Sequence, residues 1–436
     1  MFYWYNMFMK PLNTLFRKKK ILITQNSIQG LQGSEIVALE LADFFQNAGA
    51  EVKVFTWHYG EPMWGCFREK GIEVTDDEED DFFEDCDYVW VQHQVLPQRL
   101  IRKLAENKPR KKPQFIFIHM SGLKDVLLEQ PYIYDLEATI ASKILFVSQE
   151  VSEMFDEMEV FDETCPRQIF PNPAPVSYTE MQTPSEQLRR VLIVSNHPPE
   201  EILNAKKILC QNGIEAVSLG QNTGQYSRVT ADLLDGYDAV VTIGKTVQYC
   251  LVGGKPVYVY DKFGGPGYLT AKNFELAKSK NFSGRGFKKK EAKTIADEVV
   301  RGYNTARKYS LENKIVRHED FLLGTNLAKV FSDLGSSKYI HMDKKYWQYV
   351  LTAEHFARER VVIGWQYHNT LQENSSLKNT VAMTQGRIRE LEFLLNNALS
   401  FPGSRYVKWT IRLPKKILHK VKNIHKKQMI RRQKQF

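Results

Sequence analysis

Residues 21–56, "ILITQNSIQGLQGSEIVALELADFFQNAGAEVKVFT", contain two apolar, β-branched runs separated by a glycine-containing turn and an amphipathic segment. The runs at 21–24 and 51–56 predict strands. The segment between them predicts a helix with Ser34 as its N-cap and Gly49 just beyond its end. Continuous apolar strands that alternate with helices are typical of parallel sheets buried on both faces. The stretch therefore predicts an α/β fold.

The same alternation recurs along most of the chain. The first part contains further apolar runs at 88–92, 114–119 and 143–148. After the proline-rich "FPNPAP" the pattern restarts, with runs at 191–195, 214–220, 239–244 and 256–261. A proline-rich segment of this kind favours a domain boundary. Since ligands of open parallel sheets bind beyond the carboxyl ends of the strands, two doubly wound domains in tandem predict a ligand cleft between them.

We accordingly divide the chain into five parts. They are an aromatic and basic leader, a first Rossmann-like domain, a second Rossmann-like domain, a helical extension and a basic tail, at 1–19, 20–175, 186–335, 338–400 and 405–436. For the extension we consider two arrangements, helices packed on the body or helices pairing in a dimer. For the leader we consider a membrane-interface segment and a disordered leader.

Composition narrows the class of protein. Hydrophobic residues make up 43% of the 436 and charged residues 25%, as in soluble globular proteins. No apolar run approaches the roughly 18–20 residues that span a bilayer. Five scattered cysteines without metal-ligand spacing predict reduced thiols in a cytoplasmic compartment, with neither a disulfide framework nor a zinc site.

Positive charge is concentrated at the C-terminus. Residues 405–436 hold 12 Lys or Arg and no Asp or Glu. Because the whole chain has a net charge of +9, the other 404 residues have a net charge of −3. Ile417, Leu418, Val421 and Ile424 form an apolar stripe among these basic residues. A basic amphipathic helix is suited to an anionic membrane surface. Nucleic acid binding uses similar charge, but the apolar stripe favours the membrane, which predicts a peripheral protein at the inner face of the cell membrane.

Candidate site residues of the first domain follow its strands. Gly33 and Ser34 form a turn at a helix N-terminus, a position that can bind an anion and that also occurs in ordinary βα turns. His93 and His119 end apolar strands, and a histidine there can exchange protons or hydrogen bonds with a substrate. His119, in "IFIHMSG", is the stronger candidate; His93 is a candidate on the acceptor side. A structural role is the alternative for each.

Candidate site residues of the second domain are glycines and cations. Gly244, Lys245 and Thr246 come immediately after a strand, where they could cradle a diphosphate. The next strand leads into a glycine-rich loop, and one further arginine lies between two later glycines: Gly264, Gly265, Gly267 and Arg285. We expect these loops to converge on one edge of the sheet. A solvated surface lysine is the alternative for Lys245.

At these residues the sequence resembles the GT-B glycosyltransferases, in particular the large retaining family that uses nucleotide-sugar donors. The similar segments, in order, are "GLQGSEIVALELADFFQNAGAEVKVFT", "IFIHMSG", "ILFVSQEVSEMF", "RQIFPNPAP" and "GGKPVYVYDKFGGPGYL". The resemblance covers about residues 20–330, and "FGGPGYLTAKNFE" with "NFSGRGF" looks like a subgroup associated with bacterial surface-polysaccharide assembly. It implies a GT-B fold, with two Rossmann-like domains facing a cleft, and a histidine, His119, that contacts the transferred sugar.

The resemblance implies transfer of a sugar from a nucleotide diphosphate to a glycan, with retention at the anomeric carbon and a lipid-linked acceptor at the membrane. We expect neither a metal nor a resident cofactor. The family's paired glutamates are absent from "IGKTVQYCLVGGKPV", as is its Arg and Lys clamp; Lys245, Gln248 and Arg285 are the candidate substitutes. A non-catalytic partner that activates or anchors another transferase is the alternative. For either function we consider assembly into a homo- or hetero-oligomer. A nucleotide-sugar epimerase is a second alternative.

Overall fold

The computed structural model describes residues 11–106, 111–123, 132–162, 165–221, 223–335, 343–373 and 385–393. Its strands are β1 Lys20–Gln25, β2 Glu51–Thr56, β3 Glu73–Thr75, β4 Tyr88–Gln92, β5 Gln114–His119, β6 Ala141–Phe146, β7 Arg167–Ile169, β8 Arg190–Val194, β9 Glu215–Leu219, β10 Ala239–Thr242, β11 Val257–Asp261 and β12 Gly264–Tyr268.

The helices of the first domain are α1 Gly33–Asn47, α2 Met63–Glu69, α3 Gln98–Ala105, α4 Tyr134–Ile140 and α5 Gln149–Glu157. Those that follow are α6 Glu200–Gln211, α7 Ala231–Asp235, α8 Lys245–Gly253, α9 Phe274–Ser279, α10 Ala292–Phe321, α11 Leu323–Ser332 and α12 Lys344–Glu373. Short 3-10 helices cover Asp81–Glu84 and Val176–Glu180. The predicted alternation of strands and helices is confirmed in both domains.

The first sheet has seven parallel strands in the order β3-β2-β1-β4-β5-β6-β7. Its central strands are buried on both faces, because α1 covers one side while α3, α4 and α5 contribute apolar side chains to the other. Strand order reverses between β1 and β4, which makes their carboxyl ends the switch point of the sheet. This is where a doubly wound domain places a ligand.

The second sheet has five strands in the order β12-β11-β10-β8-β9, and its order reverses between β8 and β10. β8 to β11 are parallel, whereas β12 runs antiparallel to β11. The prediction of a loop at residues 264–267 is therefore wrong, because these residues belong to strand β12. A Cβ on Gly265 would lie 2.0 Å from the carbonyl oxygen of Val259, and Gly264 has a φ of 93°, so glycine is what lets this strand approach β11.

The chain returns to the first domain after the second sheet. Backbone hydrogen bonds join Ala174 to Phe321 (2.7 Å) and Leu323 to Ala174 (2.9 Å) where α10 passes into α11. On α11, the Phe331 ring packs edge-on against Phe16 and Tyr88, with centroids 4.7 and 5.2 Å apart. One apolar cluster consequently runs through both domains.

Helix α12 lies on the opposite face of the first sheet. Trp347, Val350, Ala357 and Val361 are buried in the apolar cluster on that face. Trp365, farther along the helix, donates its indole N–H to the hydroxyl of Ser27, at 3.0 Å, in the loop after β1. This part of the helical extension thus packs on the body.

The two ends of the chain are described only in part. Residues 1–10 and the whole predicted tail, 405–436, lie outside the described residues, as does most of the second predicted helix of the extension. Leu12 and Phe16, which the sequence assigned to the leader, are buried in the core of the first domain. None of the helices that the structure describes has the length and apolar character needed to cross a bilayer.

Candidate active site at the facing switch points

The switch points of the two sheets are joined by polar contacts. Lys245, the first residue of α8, forms an ion pair of 2.7 Å with Glu40 of α1. The hydroxyl oxygen of Tyr226, which follows β9, accepts a hydrogen bond from the backbone N–H of Leu31, with an N–O distance of 2.5 Å. Because these residues follow or cover the strand ends where the order of each sheet reverses, the two ligand-binding edges face each other.

The turn between β1 and α1 is occupied by a carboxylate of its own helix. Glu35 accepts the backbone N–H groups of Gln29, Gly30 and Gln32 at 2.9, 3.2 and 3.2 Å. Burial raises the pKa of Glu35 to about 7, although these hydrogen bonds and His93 lower it. Three backbone amides of this turn are therefore already bound by a carboxyl group of the chain, and they belong to residues just before the predicted Gly33 and Ser34.

The predicted N-cap of α1 is wrong by two residues. The helix begins at Gly33 with Gln32 as its N-cap. Ser34 instead lies in the first turn, where its hydroxyl accepts a hydrogen bond from the side-chain amide of Gln25 at 3.0 Å. The reason is the capping interaction between Glu35 and the backbone of Gln32, which starts the helix earlier.

Lys245 is enclosed by protein groups. Besides Glu40, its ammonium group donates to the carbonyl oxygens of Asn172 (3.2 Å) and Pro173 (2.5 Å) in the interdomain linker. Tyr249, one turn along α8, donates its hydroxyl to the same Glu40. Burial lowers the pKa of Lys245, and Glu40 opposes that shift. A diphosphate would have to displace Glu40 to reach this ammonium group.

The other predicted residues of α8 lie around its first turn. Gly244 has a φ of 58° and donates its N–H to the carbonyl of Phe282 at 3.2 Å. Thr246 is buried. Gln248 is fully buried and donates to the Asn281 side chain at 3.3 Å, while its Oε1 atom has no hydrogen-bond partner among the described residues. The segment after α9 is thus brought beside the second switch point.

Arg285 crosses to the first domain. Its guanidinium group makes two hydrogen bonds to Glu150 of α5, one of them 2.9 Å from Nε, and Lys280 reaches the other oxygen of Glu150 at 3.4 Å. A Cβ on Gly122 would lie 3.8 Å from Arg285 and 3.7 Å from Glu150. Burial raises the pKa of Glu150, but the two cations outweigh it and hold the pKa below its ordinary value. Arg285 therefore lies beside the turn that follows His119, and Lys280 shares its carboxylate partner.

His119 ends β5 in an aromatic environment. Its Nε2 atom lies 2.7 Å from a carboxylate oxygen of the fully buried Glu137. The imidazole packs against Phe146 and Phe155, at centroid distances of 5.6 and 4.3 Å. His93, the other strand-end histidine, is buried and has a positive φ of 55°. An imidazole held by a buried carboxylate can keep one tautomer and one orientation.

The glycines after β11 lie at the edge of the second sheet, beyond β10 and β11 from the switch point. Gly264, Gly265 and Gly267 all belong to the edge strand β12. A Cβ on Gly284 would lie 2.3 Å from the carbonyl oxygen of Gly264, so the two glycine clusters pack backbone against backbone. This packing is the physical reason for their composition, and it places Arg285 on a fixed turn.

Sequence reasoning missed the three carboxylates that hold these groups. Glu40, Glu137 and Glu150 pair with Lys245, His119 and Arg285. A signal existed for two of them. Glu40 falls three and four residues after apolar positions of α1, and Glu137 occupies the buried face of α4. A lone acid inside an apolar helical stripe indicates a buried partner.

The chain has the predicted GT-B fold. It consists of two doubly wound α/β domains, a short linker and C-terminal helices that return to the first domain.

No protein-family model and no curated protein sequence matches the chain. Solved structures do. A glycosyltransferase from Rickettsia africae ESF-5 is 12% identical, with a TM-score of 0.49, over 76% of this chain and 99% of that one.

Two further solved structures are similar to this chain, again at low sequence identity and with TM-scores below 0.5. Anabaena Alr3699/HepE in complex with UDP is 14% identical over 72% of this chain and 100% of its own, with a TM-score of 0.47. S. aureus MnaA, solved with UDP, is 11% identical over 74% of this chain and 100% of its own, with a TM-score of 0.41.

Breaking the interdomain ion pair should destabilise the protein. Lys245→Met leaves the carboxylate of Glu40 buried without its cation, which costs about 3–5 kcal/mol in the free energy of unfolding. The double variant with Glu40→Gln removes both charges of the ion pair and should lose less than the single variant. Urea unfolding of all three proteins measures this. Equal losses in the single and double variants would contradict the pairing.

Glu35 should make stability depend on pH. Because its pKa is about 7 in the folded chain and 4.5 as a reference, the folded state binds the proton more tightly. Its contribution is fully present below pH 4.5 and is lost as the pH rises to about 7, by roughly 3 kcal/mol. Glu35→Gln should remove this slope, whereas the exposed Glu69→Gln should retain it. Unfolding at several pH values tests this, and parallel wild-type and Glu35→Gln curves would contradict it.

Proposed function

We propose that this protein is a glycosyltransferase that moves a sugar from a nucleotide diphosphate to a glycan acceptor. One observation carries the proposal. Arg285 and Lys280 of the second domain both reach across to Glu150 of the first, and Arg285 lies beside the turn after His119. Fixed cations near the turn that follows a strand-end histidine suit a substrate that has a diphosphate at one end and a sugar at the other.

The reaction assigns a role to each group. The bond between the anomeric carbon and the diphosphate oxygen breaks, and its electron pair leaves with the diphosphate. An acceptor hydroxyl oxygen bonds to that carbon and gives its proton to the departing phosphate oxygen. Arg285 and Lys280 stabilise the charge that develops on the leaving group, so we expect no metal to be required. His119 hydrogen-bonds the transferred sugar, and the transfer retains the anomeric configuration.

Glu150 acts as a stand-in for the diphosphate in this proposal. It is a carboxylate that accepts hydrogen bonds from both cations, as phosphate oxygens would. The side chains of Arg285 and Glu150 are 23% and 25% exposed, so the ion pair is accessible to a competing anion. Lys245 could add a further cation only after it exchanges Glu40 for phosphate.

Nucleotide binding should respond oppositely to the two partners of this ion pair. Arg285→Gln removes a charge-assisted contact and should weaken UDP binding about tenfold or more. Glu150→Gln removes the internal competitor, worth about 1 kcal/mol, and should tighten binding about fivefold. Calorimetry with UDP, the nucleotide bound in HepE and MnaA, and then with other nucleoside diphosphates measures both changes.

The exposed Arg301→Gln, on α10 of the same domain, is the matched control for charge and should leave binding unchanged. Nucleotide affinity that is insensitive to both Arg285 and Glu150 would place the diphosphate elsewhere.

The alternative function, a non-catalytic partner of another transferase, is motivated by the missing glutamates of "IGKTVQYCLVGGKPV" and by the ion pair that already occupies Lys245. Failure of every nucleoside diphosphate to bind the wild-type chain would favour it over the transferase.

The acceptor that we propose is a lipid-linked glycan of the bacterial surface. The support is the charge of residues 405–436, where each basic residue near an anionic leaflet contributes about 1 kcal/mol. If a third of the 12 engage, about 4 kcal/mol results, or on the order of a thousandfold in partitioning. An acceptor held at the membrane would then meet an enzyme concentrated there.

Removal of residues 405–436 should therefore reduce sedimentation with vesicles that contain anionic lipid, and added salt should reduce it in the full chain. Neutral vesicles are the control, since they retain the apolar contribution alone. Turnover with a water-soluble acceptor should not change. Equal vesicle binding by the full and shortened chains would contradict the membrane role.

A further inference from the structure

We infer that helix α12 positions His119 through a chain of hydrogen bonds, which we call the relay. The relay consists of Tyr349, Tyr132, Gln94, Glu137 and His119. The inference rests on the proposed function, because it assigns positioning roles to residues around a histidine that contacts the transferred sugar. It gives the helical extension a part in the reaction, although α12 lies on the far face of the first sheet.

The first step of the relay fixes the imidazole. Glu137 is fully buried, and one of its oxygens lies 2.7 Å from Nε2 of His119. Since an ionised carboxylate only accepts hydrogen bonds, Nε2 carries a proton, and in the neutral ring Nδ1 is left as an acceptor. The packing of Phe146 and Phe155 on the ring restricts its rotation. Glu137 therefore selects the tautomer.

The second step fixes Glu137. Its other oxygen accepts a hydrogen bond from the side-chain amide of Gln94. The Oε1 atom of Gln94 accepts the backbone N–H groups of Tyr132 and Ile133 at 2.7 and 3.0 Å, which sets the orientation of the amide. Gln94 also has a φ of 56°, a conformation that a side-chain-bearing residue keeps only when its surroundings hold it.

The third step comes from α12. The hydroxyl of Tyr349 donates to the carbonyl of Tyr132 at 3.0 Å, and the hydroxyl of Tyr132 donates to the carbonyl of Gln94 at 3.1 Å. One turn farther along α12, Glu354 accepts the N–H of Leu96 at 3.2 Å. The loop that carries Gln94 is thus held by the helix on one side and by Glu137 on the other.

The decisive variant is Glu137→Gln. Its amide oxygen can accept from only one of its two partners, so its NH₂ group faces either the NH₂ of Gln94 or the N–H of His119. Misplacement of a substrate-contacting group by about 1 Å can cost on the order of a hundredfold in rate. We expect kcat to fall by about that factor, with UDP affinity and donor KM unchanged, because Arg285 and Lys280 are unaffected.

The double variant Glu137→Gln with Gln94→Glu exchanges donor and acceptor within the pair. It restores complementary hydrogen bonds at both polar atoms of the side chain at position 137, because the amide oxygen accepts from His119 and the NH₂ group donates to the carboxylate at position 94. The value of kcat should therefore recover relative to the single variant. Thermal unfolding of each variant confirms that a folded protein is being compared.

Tyr349→Phe tests the link to α12. It removes the hydroxyl that donates to the carbonyl of Tyr132, and we expect a fall in kcat of about tenfold, smaller than for Glu137→Gln because the remaining steps are intact. Tyr367→Phe is the matched control, since it removes the hydroxyl of an exposed tyrosine on the same helix. It should leave kcat unchanged.

A readout independent of sugar transfer separates this inference from the proposed function. NMR of the full chain with ¹⁵N-labelled histidine, with His119 assigned by its loss in His119→Gln, reports which ring nitrogen carries the proton. The relay predicts the Nε2–H form in the wild type and a changed tautomer ratio in Glu137→Gln. That result would support the relay even if no donor were turned over. An unchanged His119 spectrum in Glu137→Gln, or an unchanged kcat in a folded, active Glu137→Gln, would overturn it.

Discussion

The interdomain ion pair between Glu40 and Lys245 is the contact on which the arrangement of the two sheets depends. It joins the middle of α1 to the first turn of α8, and both side chains are nearly inaccessible to water. Inside a protein an ion pair of this kind adds little net stability, but the loss of one partner is costly because the other charge stays buried. The pair therefore fixes how the two switch points face each other more than it strengthens the fold.

A common principle connects this pair with the rest of the site. Groups suited to an anion are each held by a carboxylate of the chain: the turn after β1 by Glu35, Lys245 by Glu40, and Arg285 by Glu150. A substrate phosphate that replaces Glu150 exchanges one oxygen anion for another, so the cations stay paired throughout. Such an exchange avoids leaving a desolvated charge without a partner, which is the most expensive state available to the site.

The sequence predicted the elements better than their contacts. The strand–helix–strand unit at 21–56 followed from apolar periodicity, a local property that burial on both faces of a sheet imposes. The loop predicted at 264–267 was a strand, because glycines chosen for close backbone packing look the same in sequence as glycines chosen for a turn. The partner of Arg285 could not be predicted, since Glu150 is 135 residues away and is brought near only by the facing domains.

Burial determines which interdomain contact opens at least cost. The Arg285–Glu150 pair is about a quarter exposed, and water can solvate both groups as they part. The Lys245–Glu40 pair is enclosed, and separating it would leave both charges poorly solvated. Any movement that admits a substrate should therefore separate Arg285 from Glu150 first, while the Lys245–Glu40 pair keeps the two domains in the same relative position. In the described part of the chain no hydrogen bond or ion pair joins α12, the helix that returns across the first sheet, to either pair, so His119 can stay positioned while the cations move.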